Sequence, residues 1–262
     1  MAGPDLMPSF INLRVIFALM MREMSTRYGR SAGGYIWAII EPVGMIAVMS
    51  IVFGFVLRTP ALGSNFPLFF ATGFLPFSYY MELANFSSSA VGMNRPLLTY
   101  PRVTPMDTVI ARVALQFITL CVVSVLILGG IIIFYDIHTV YDFSSMIEGV
   151  ALASLLGFGN GVTNAVIISY VPTYMNVWKI LTRPLFLISG VFFIPDELPR
   201  VARDLLWYNP ISHAVGLVRR GFYPTYEADW ISHLYLGGTA VGLTTVGLFL
   251  IYYNRHNIVE EK

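Results

Sequence analysis

The chain runs again and again for about 20 residues with almost no charged side chain, and that limits its folds more than any other feature. Hydrocarbon offers no water to backbone N–H and C=O groups, so such a segment crosses a bilayer as a helix. Six stretches read as spans: Ile36–Leu57, Phe66–Phe86 with a break at Pro76, Val109–Tyr135, Met146–Tyr170, Val177–Ile194 and Ile231–Tyr253. Hydrophobic residues make up 56% of the sequence and charged ones 12%, against roughly 25% charged in an average soluble domain. That charge cannot coat a soluble globule of 262 residues. The expected fold class is therefore an all-α integral membrane protein. A soluble enzyme and a disordered chain are excluded. With no basic run to meet phosphates, nucleic acid is excluded as a partner.

The remaining charge is informative by position. With the N-terminus inside, eleven of the sixteen Lys and Arg residues fall on inner segments, which predicts cytoplasmic N- and C-termini. The lysines are Lys179 and Lys262, and neither follows a glycine. A phosphate-binding P-loop ends in Gly-Lys-Ser/Thr, so any ATP used by this protein binds to another chain. The single cysteine, Cys121, allows neither an intrachain disulfide nor a cysteine cluster for metal. The four histidines lack zinc-protease spacing, and no metal site is expected. Ser212-His213 and Ser232-His233 are sequence neighbours, which do not face one another on a helix, so no nucleophile–base pair is apparent.

Residues 1–35 are expected to form a cytoplasmic interface segment, with residues 36–262 forming one six-span membrane domain. Within the first segment, Phe10, Leu13, Phe17, Met20, Met24 and Tyr28 fall on one helical face, with Arg14, Arg22 and Arg27 elsewhere, as in an amphipathic helix lying on a membrane surface. Between spans two and three, Asn94 to Asp107 forms an inner elbow stiffened by Pro96, Pro101 and Pro105 and charged at Arg95 and Arg102. Thr104, Pro105 and Asp107 have N-cap, first-turn and capping-box spacing, so a helix restarts there. Between spans five and six, a short helix should run from Pro199. Asn209-Pro210 then caps a second one ending near Gly221. Each is about half a bilayer long, which favours a re-entrant helical hairpin over the alternative, a folded surface loop.

Two carboxylates, Glu41 beside Pro42 and Glu82, fall inside spans, where desolvation makes a charge expensive; the readings open to each are a substrate-path or conformational role and an interface residue that reaches water. Aromatic residues are 15% of the chain and cluster at span ends. An interfacial belt accounts for most of them. A surplus suits a passage for sugars, whose apolar faces lie on aromatic rings.

Several segments resemble the type-2 ABC export permeases, in the branch that exports capsular polysaccharide. They are Arg27-Tyr28-Gly29 with Gly34-Tyr35-Ile36-Trp37-Ala38-Ile39-Ile40-Glu41-Pro42, then Ser189-Gly190-Val191-Phe192-Phe193-Ile194-Pro195 with Leu198-Pro199, and Tyr208-Asn209-Pro210-Ile211-Ser212-His213 with Arg219 after it. The resemblance implies a non-enzymatic half-transporter of the Gram-negative inner membrane. Two copies would enclose a passage above two ATPase subunits, which hold ATP and Mg, and this chain would bind no cofactor. The cargo would be lipid-linked capsular polysaccharide, handed on to periplasmic and outer-membrane export proteins. O-antigen, teichoic acid and drugs are the alternative cargoes, and a lipid-acting membrane enzyme the alternative class. Expected substrate-path residues are Trp37, Glu41, Pro42, Tyr79, Glu82, Phe192 and Phe193. Expected ATPase-coupling residues are Arg27, Arg95, Arg102 and Asp107, and the outer re-entrant segment would use Asn209, Pro210, His213 and Arg219.

Overall fold

A computed structural model describes residues 10–28, 34–98 and 103–254, and all regular structure among them is helical. The α-helices are α1 (Phe10–Tyr28), α2 (Gly34–Val56), α3 (Phe66–Met93), α4 (Pro105–Phe134), α5 (Phe143–Tyr170), α6 (Tyr174–Leu187), α7 (Arg200–Trp207), α8 (Pro210–Phe222) and α9 (His233–Tyr253). Single 3-10 turns occur at Arg95–Leu97 and Pro195–Glu197. Among the described residues, four helices are long and apolar enough to cross a membrane: α2 from Ile36, α4, α5 and α9. At 28 residues α3 is equally long, but Glu82, Asn85 and the serines 87–89 make it more polar.

Local chemistry starts these helices where the sequence suggests. The Asp107 backbone N–H donates to Thr104 Oγ1 at 3.2 Å, and the Thr104 N–H donates to the Asp107 carboxylate at 3.0 Å, which completes the capping box of α4. Asn209 Oδ1 accepts the Ile211 N–H at 3.1 Å and Pro210 occupies the first turn of α8. Asp142 caps α5 through the Ser144 and Ser145 N–H groups, and the Ser145 hydroxyl helps hold its carboxyl below the usual range.

Two expectations are corrected. The second stretch does not break at Pro76, because α3 runs through it unbroken to Met93. Proline removes one hydrogen bond, and a helix buried among others tolerates that better than a break that would free several backbone groups. The fifth stretch is not one helix from Val177 to Ile194. α6 has 14 residues, about 21 Å, and is followed by a turn with Gly190 at φ +74.

At the centre lies α5, which packs most extensively on α3 and α9 and also meets α8. Small residues permit this. A Cβ on Gly157 would lie 2.9 Å from Tyr80 Cα on α3, and one on Gly159 would lie 2.8 Å from Thr244 Cα on α9. Gly238 and Gly242, spaced for close helix packing on α9, face open space instead. Gly157→Val is expected to force α3 and α5 apart and cost about 3 kcal/mol. A thermal melt of the purified protein in detergent should fall clearly, whereas Gly238→Val should leave it nearly unchanged.

Candidate functional site

The two span carboxylates come together. Glu41 and Pro42 on α2, Glu82 on α3, and Gln116 and Thr119 on α4 line one cleft of about 270 Å³. The Glu82 carboxylate accepts a hydrogen bond from Gln116 Nε2, so its position is held by α4. Glu41 is exposed, and so is Trp37 one turn earlier at 64%. The cleft therefore presents one held and one accessible carboxylate, apolar walls from Phe74, Leu75 and Phe86, and hydroxyls at Ser78 and Thr119. An arrangement of this kind can bind hydroxyl-rich or cationic groups, and the Ser78 and Thr119 hydroxyls donate to carbonyls of their own helices.

The other expected path residues lie elsewhere. Tyr79 is buried at 2% exposure, with its ring 5.8 Å from Phe117, and lines an apolar groove between α4 and α5. Phe192 packs into the core between Phe53 at 5.7 Å and Phe186 at 5.0 Å. Phe193 is half-buried beside it.

A second constellation ties α1 to the inner ends of α3 and α4. Arg112 Nε lies 3.0 Å from the Glu23 carboxylate. Arg112 Nη1 donates to Met93 Sδ at 2.9 Å, and its guanidinium sits 5.2 Å from the Phe86 ring centroid. Arg22 Nη1 donates at 3.2 Å to Asn94 Oδ1, at the residue that caps α3. These bonds hold α1 against α4 and the elbow. Outward, α1 shows Leu13 at 59% and Phe17 at 63% beside the exposed Arg14. Among the expected coupling residues, Arg95 is exposed at the start of its 3-10 turn, and Asp107 is the buried partner of Thr104. Arg102 lies outside the described residues, and so does the side chain of Arg27. Sequence reasoning missed the Glu23–Arg112 pair. The available signal was Arg112 itself, a guanidinium within an apolar stretch that needs a carboxylate or carbonyls nearby.

The third constellation is built on α8. Arg219 is 1% exposed and donates to the carbonyls of Gly190 at 2.6 Å, Val191 at 2.8 Å and Phe193 at 2.8 Å. Its guanidinium lies 4.2 Å from the Phe69 ring centroid. Asn209 Nδ2 donates to the Ile188 carbonyl at 3.1 Å. Together they hold the chain that leaves α6, whose carbonyls have no helical donors. His213 is fully buried between Trp207 and Trp230. Its Nδ1 accepts the Ser232 N–H at 3.2 Å, so Nε2 carries the proton and donates to the Trp207 carbonyl at 2.8 Å. The ring joins α7, α8 and the start of α9 and is not placed for general-base work. Asn209, Pro210, His213 and Arg219 thus all meet in one assembly. The sequence placed them in a single segment without showing what they hold.

Among the described residues no His, Cys, Asp or Glu cluster could hold a metal ion.

Residues 14–223 match the family described as the ABC-2 type transporter. The chain is 32% identical over 235 residues to the polysialic acid transport protein KpsM of Escherichia coli, covering 89% of this chain and 90% of that one. It is 26% identical over 238 residues to the capsule polysaccharide export inner-membrane protein BexB of Haemophilus influenzae, covering 91% and 90%. To the O-antigen export system permease protein RfbA of Klebsiella pneumoniae it is 22% identical, covering 95% and 96%.

Two tests separate these constellations. Glu23→Gln or Arg112→Met should loosen α1 and cost about 2 kcal/mol, read as faster protease cutting within residues 13–26. The charge-exchanged double variant should recover part of the loss. Arg219→Lys supplies fewer donors in a different geometry, should cost about 3 kcal/mol, and should expose residues 188–194 to proteolysis while leaving the α1 digest unchanged.

Proposed function

The chain belongs to the ABC-2 type transporter family, and from that premise we propose that it is the membrane permease subunit of an exporter for lipid-linked capsular polysaccharide in a bacterial inner membrane. The observation that carries the reading is similarity over nine-tenths of the chain to proteins named for polysialic acid transport and capsule polysaccharide export. The absence of any Gly-Lys-Ser/Thr sequence supports a separate ATPase subunit, on which ATP and Mg would be held.

In this reading six segments cross the bilayer: α2, α3, α4, α5, α6 with its exit chain, and α9. The termini lie on the cytoplasmic side, which the distribution of Lys and Arg favours. α7 and α8, with 8 and 13 residues, are about 12 and 20 Å long, short of a core about 30 Å thick. They form the re-entrant hairpin that Arg219 ties to the end of α6. α1 lies along the inner surface, with Leu13 and Phe17 turned toward lipid. Two copies enclose the passage, two ATPase subunits dock beneath the elbow, and periplasmic and outer-membrane export proteins take the polymer onward.

The inner constellation gives coupling a physical route. ATP-driven closure of the subunits pushes on Arg95 and Arg102. The Arg22–Asn94 bond and the Glu23–Arg112 pair make α1, the elbow and α4 move together. α4 carries Gln116, which holds Glu82, so the displacement reaches the Glu41–Glu82 cleft.

Co-expression with its ATPase should yield a complex of two permeases and two ATPases. Cells lacking the permease should accumulate polymer inside. Glu41→Gln should reduce surface polymer more than Glu82→Gln at equal expression, since Glu82 already has a partner within the protein. The reverse order would remove Glu41 from the path. Normal export without the ATPase partner would overturn the transporter reading.

A further inference from the structure

α4 and α5 follow one another in the chain, joined by residues 135–142, yet they diverge in space. α5 is drawn to α3, α9 and α8, whereas α4 lies mainly against α3 and α1. Between the two spans a groove of about 530 Å³ stays open. Its walls include Phe117, Leu128 and Ile132 of α4 and Met146 and Val150 of α5. From Phe117 to Ile132 it runs about 22 Å, from near the outer end of α4 past the middle of a core about 30 Å thick. Gly129 opens its floor, since a Cβ there would meet no atom of this chain within 4 Å. Gly130 opens onto a separate groove beside α2.

Water is a poor occupant, because it needs several polar partners and the long walls offer only the hydroxyls of Tyr79, Ser124 and Tyr141 and the Cys121 thiol. An empty groove would forfeit van der Waals contacts along its whole length. A helix about 10 Å across and equally long takes roughly three times the volume. A single acyl chain has the right width, length and polarity. The loop over the mouth adds charge. Residues 135–142 carry Asp136 and Asp142 and neither Lys nor Arg, and Asp136 stands exposed beside His138. The Asp142 N–H donates to the Gly221 carbonyl at 2.9 Å, which brings Arg220 of α8 to the same mouth.

We infer that this groove binds one acyl chain of an outer-leaflet phospholipid whose headgroup carries an ammonium, as in phosphatidylethanolamine. The inference goes beyond the export reading and rests only on α4 and α5 crossing the bilayer with their joining loop outside. Lipid tails are as apolar as the walls, so burial alone prefers no lipid over another. Fit along the groove and charge at its mouth supply the preference: the ammonium meets Asp136 and Asp142, and the phosphate meets Arg220.

The test titrates phosphatidylethanolamine bearing a diazirine in one acyl chain into the detergent-solubilised permease–ATPase complex, with cross-links mapped by peptide. Labelling of Leu128, Met146 and Val150 should saturate at a low lipid-to-protein ratio, while that of the exposed Val122 and Ile133 should rise in proportion to lipid. Unlabelled phosphatidylethanolamine should suppress the groove labelling, and phosphatidylglycerol should do so less. Gly129→Leu fills the floor and should weaken the saturable labelling about tenfold, whereas Gly130→Leu should leave it unchanged. Groove labelling that only rises in proportion to lipid, or that Gly129→Leu leaves intact, would overturn the inference. Equal competition by phosphatidylglycerol would overturn the headgroup preference. Groove labelling in the separated permease but not in the complex would assign the groove to a protein partner and overturn the lipid. Labelling of neither the groove nor Val122 and Ile133 would overturn the span reading itself.

Discussion

The approach of α5 to α3 and α9 is the constraint on which the rest depends. With glycine at 157 and 159, the backbones come within the distance a Cβ would occupy. Helices in hydrocarbon gain little from burying apolar surface against one another, because lipid is equally apolar, so close packing of small residues supplies the attraction. Once α3 and α5 are so placed, α4 lies against α3, α8 against α5, and the cleft between α2, α3 and α4 takes its shape.

Charge in this setting is used sparingly and held firmly. Arg219 has three carbonyl acceptors and an aromatic face, Arg112 has Glu23, and Glu82 has Gln116. Each group is stabilised where a bare charge would cost several kcal/mol. Arg219 and Arg112 also join elements far apart in sequence. One fastens the end of α6 to α8, the other fastens α1 to α4. Glu41 is the contrast, since it is exposed.

Much of the helix pattern was legible beforehand because its causes are local. The capping box at Thr104 and Asp107, the Asn209-Pro210 start and the apolar lengths of α2, α4, α5 and α9 all depend on residues within a few turns. Pro76 misled because propensity treats proline as a break, whereas a helix enclosed by neighbours bears the loss of one bond. The fifth stretch misled because hydropathy cannot register that carbonyls 190, 191 and 193 turn toward Arg219. Of the expected path residues, Glu41, Pro42 and Glu82 share a cleft. Tyr79 and Phe192 are packed away from it, because aromatic content does not say which way a ring faces.

Composition and spacing by themselves determined the class of the chain and the positions of most helix starts. These follow from desolvation of backbone groups and from hydrogen bonds that reach no further than one turn. Only the tertiary structure decided that Glu23 meets Arg112, that Arg219 holds the exit of α6, and that Glu41 and Glu82 line one cleft. Those pairings join residues far apart along the chain. Which of them form depends on how closely the helices approach, and for α3 and α9 the glycines of α5 permit that approach.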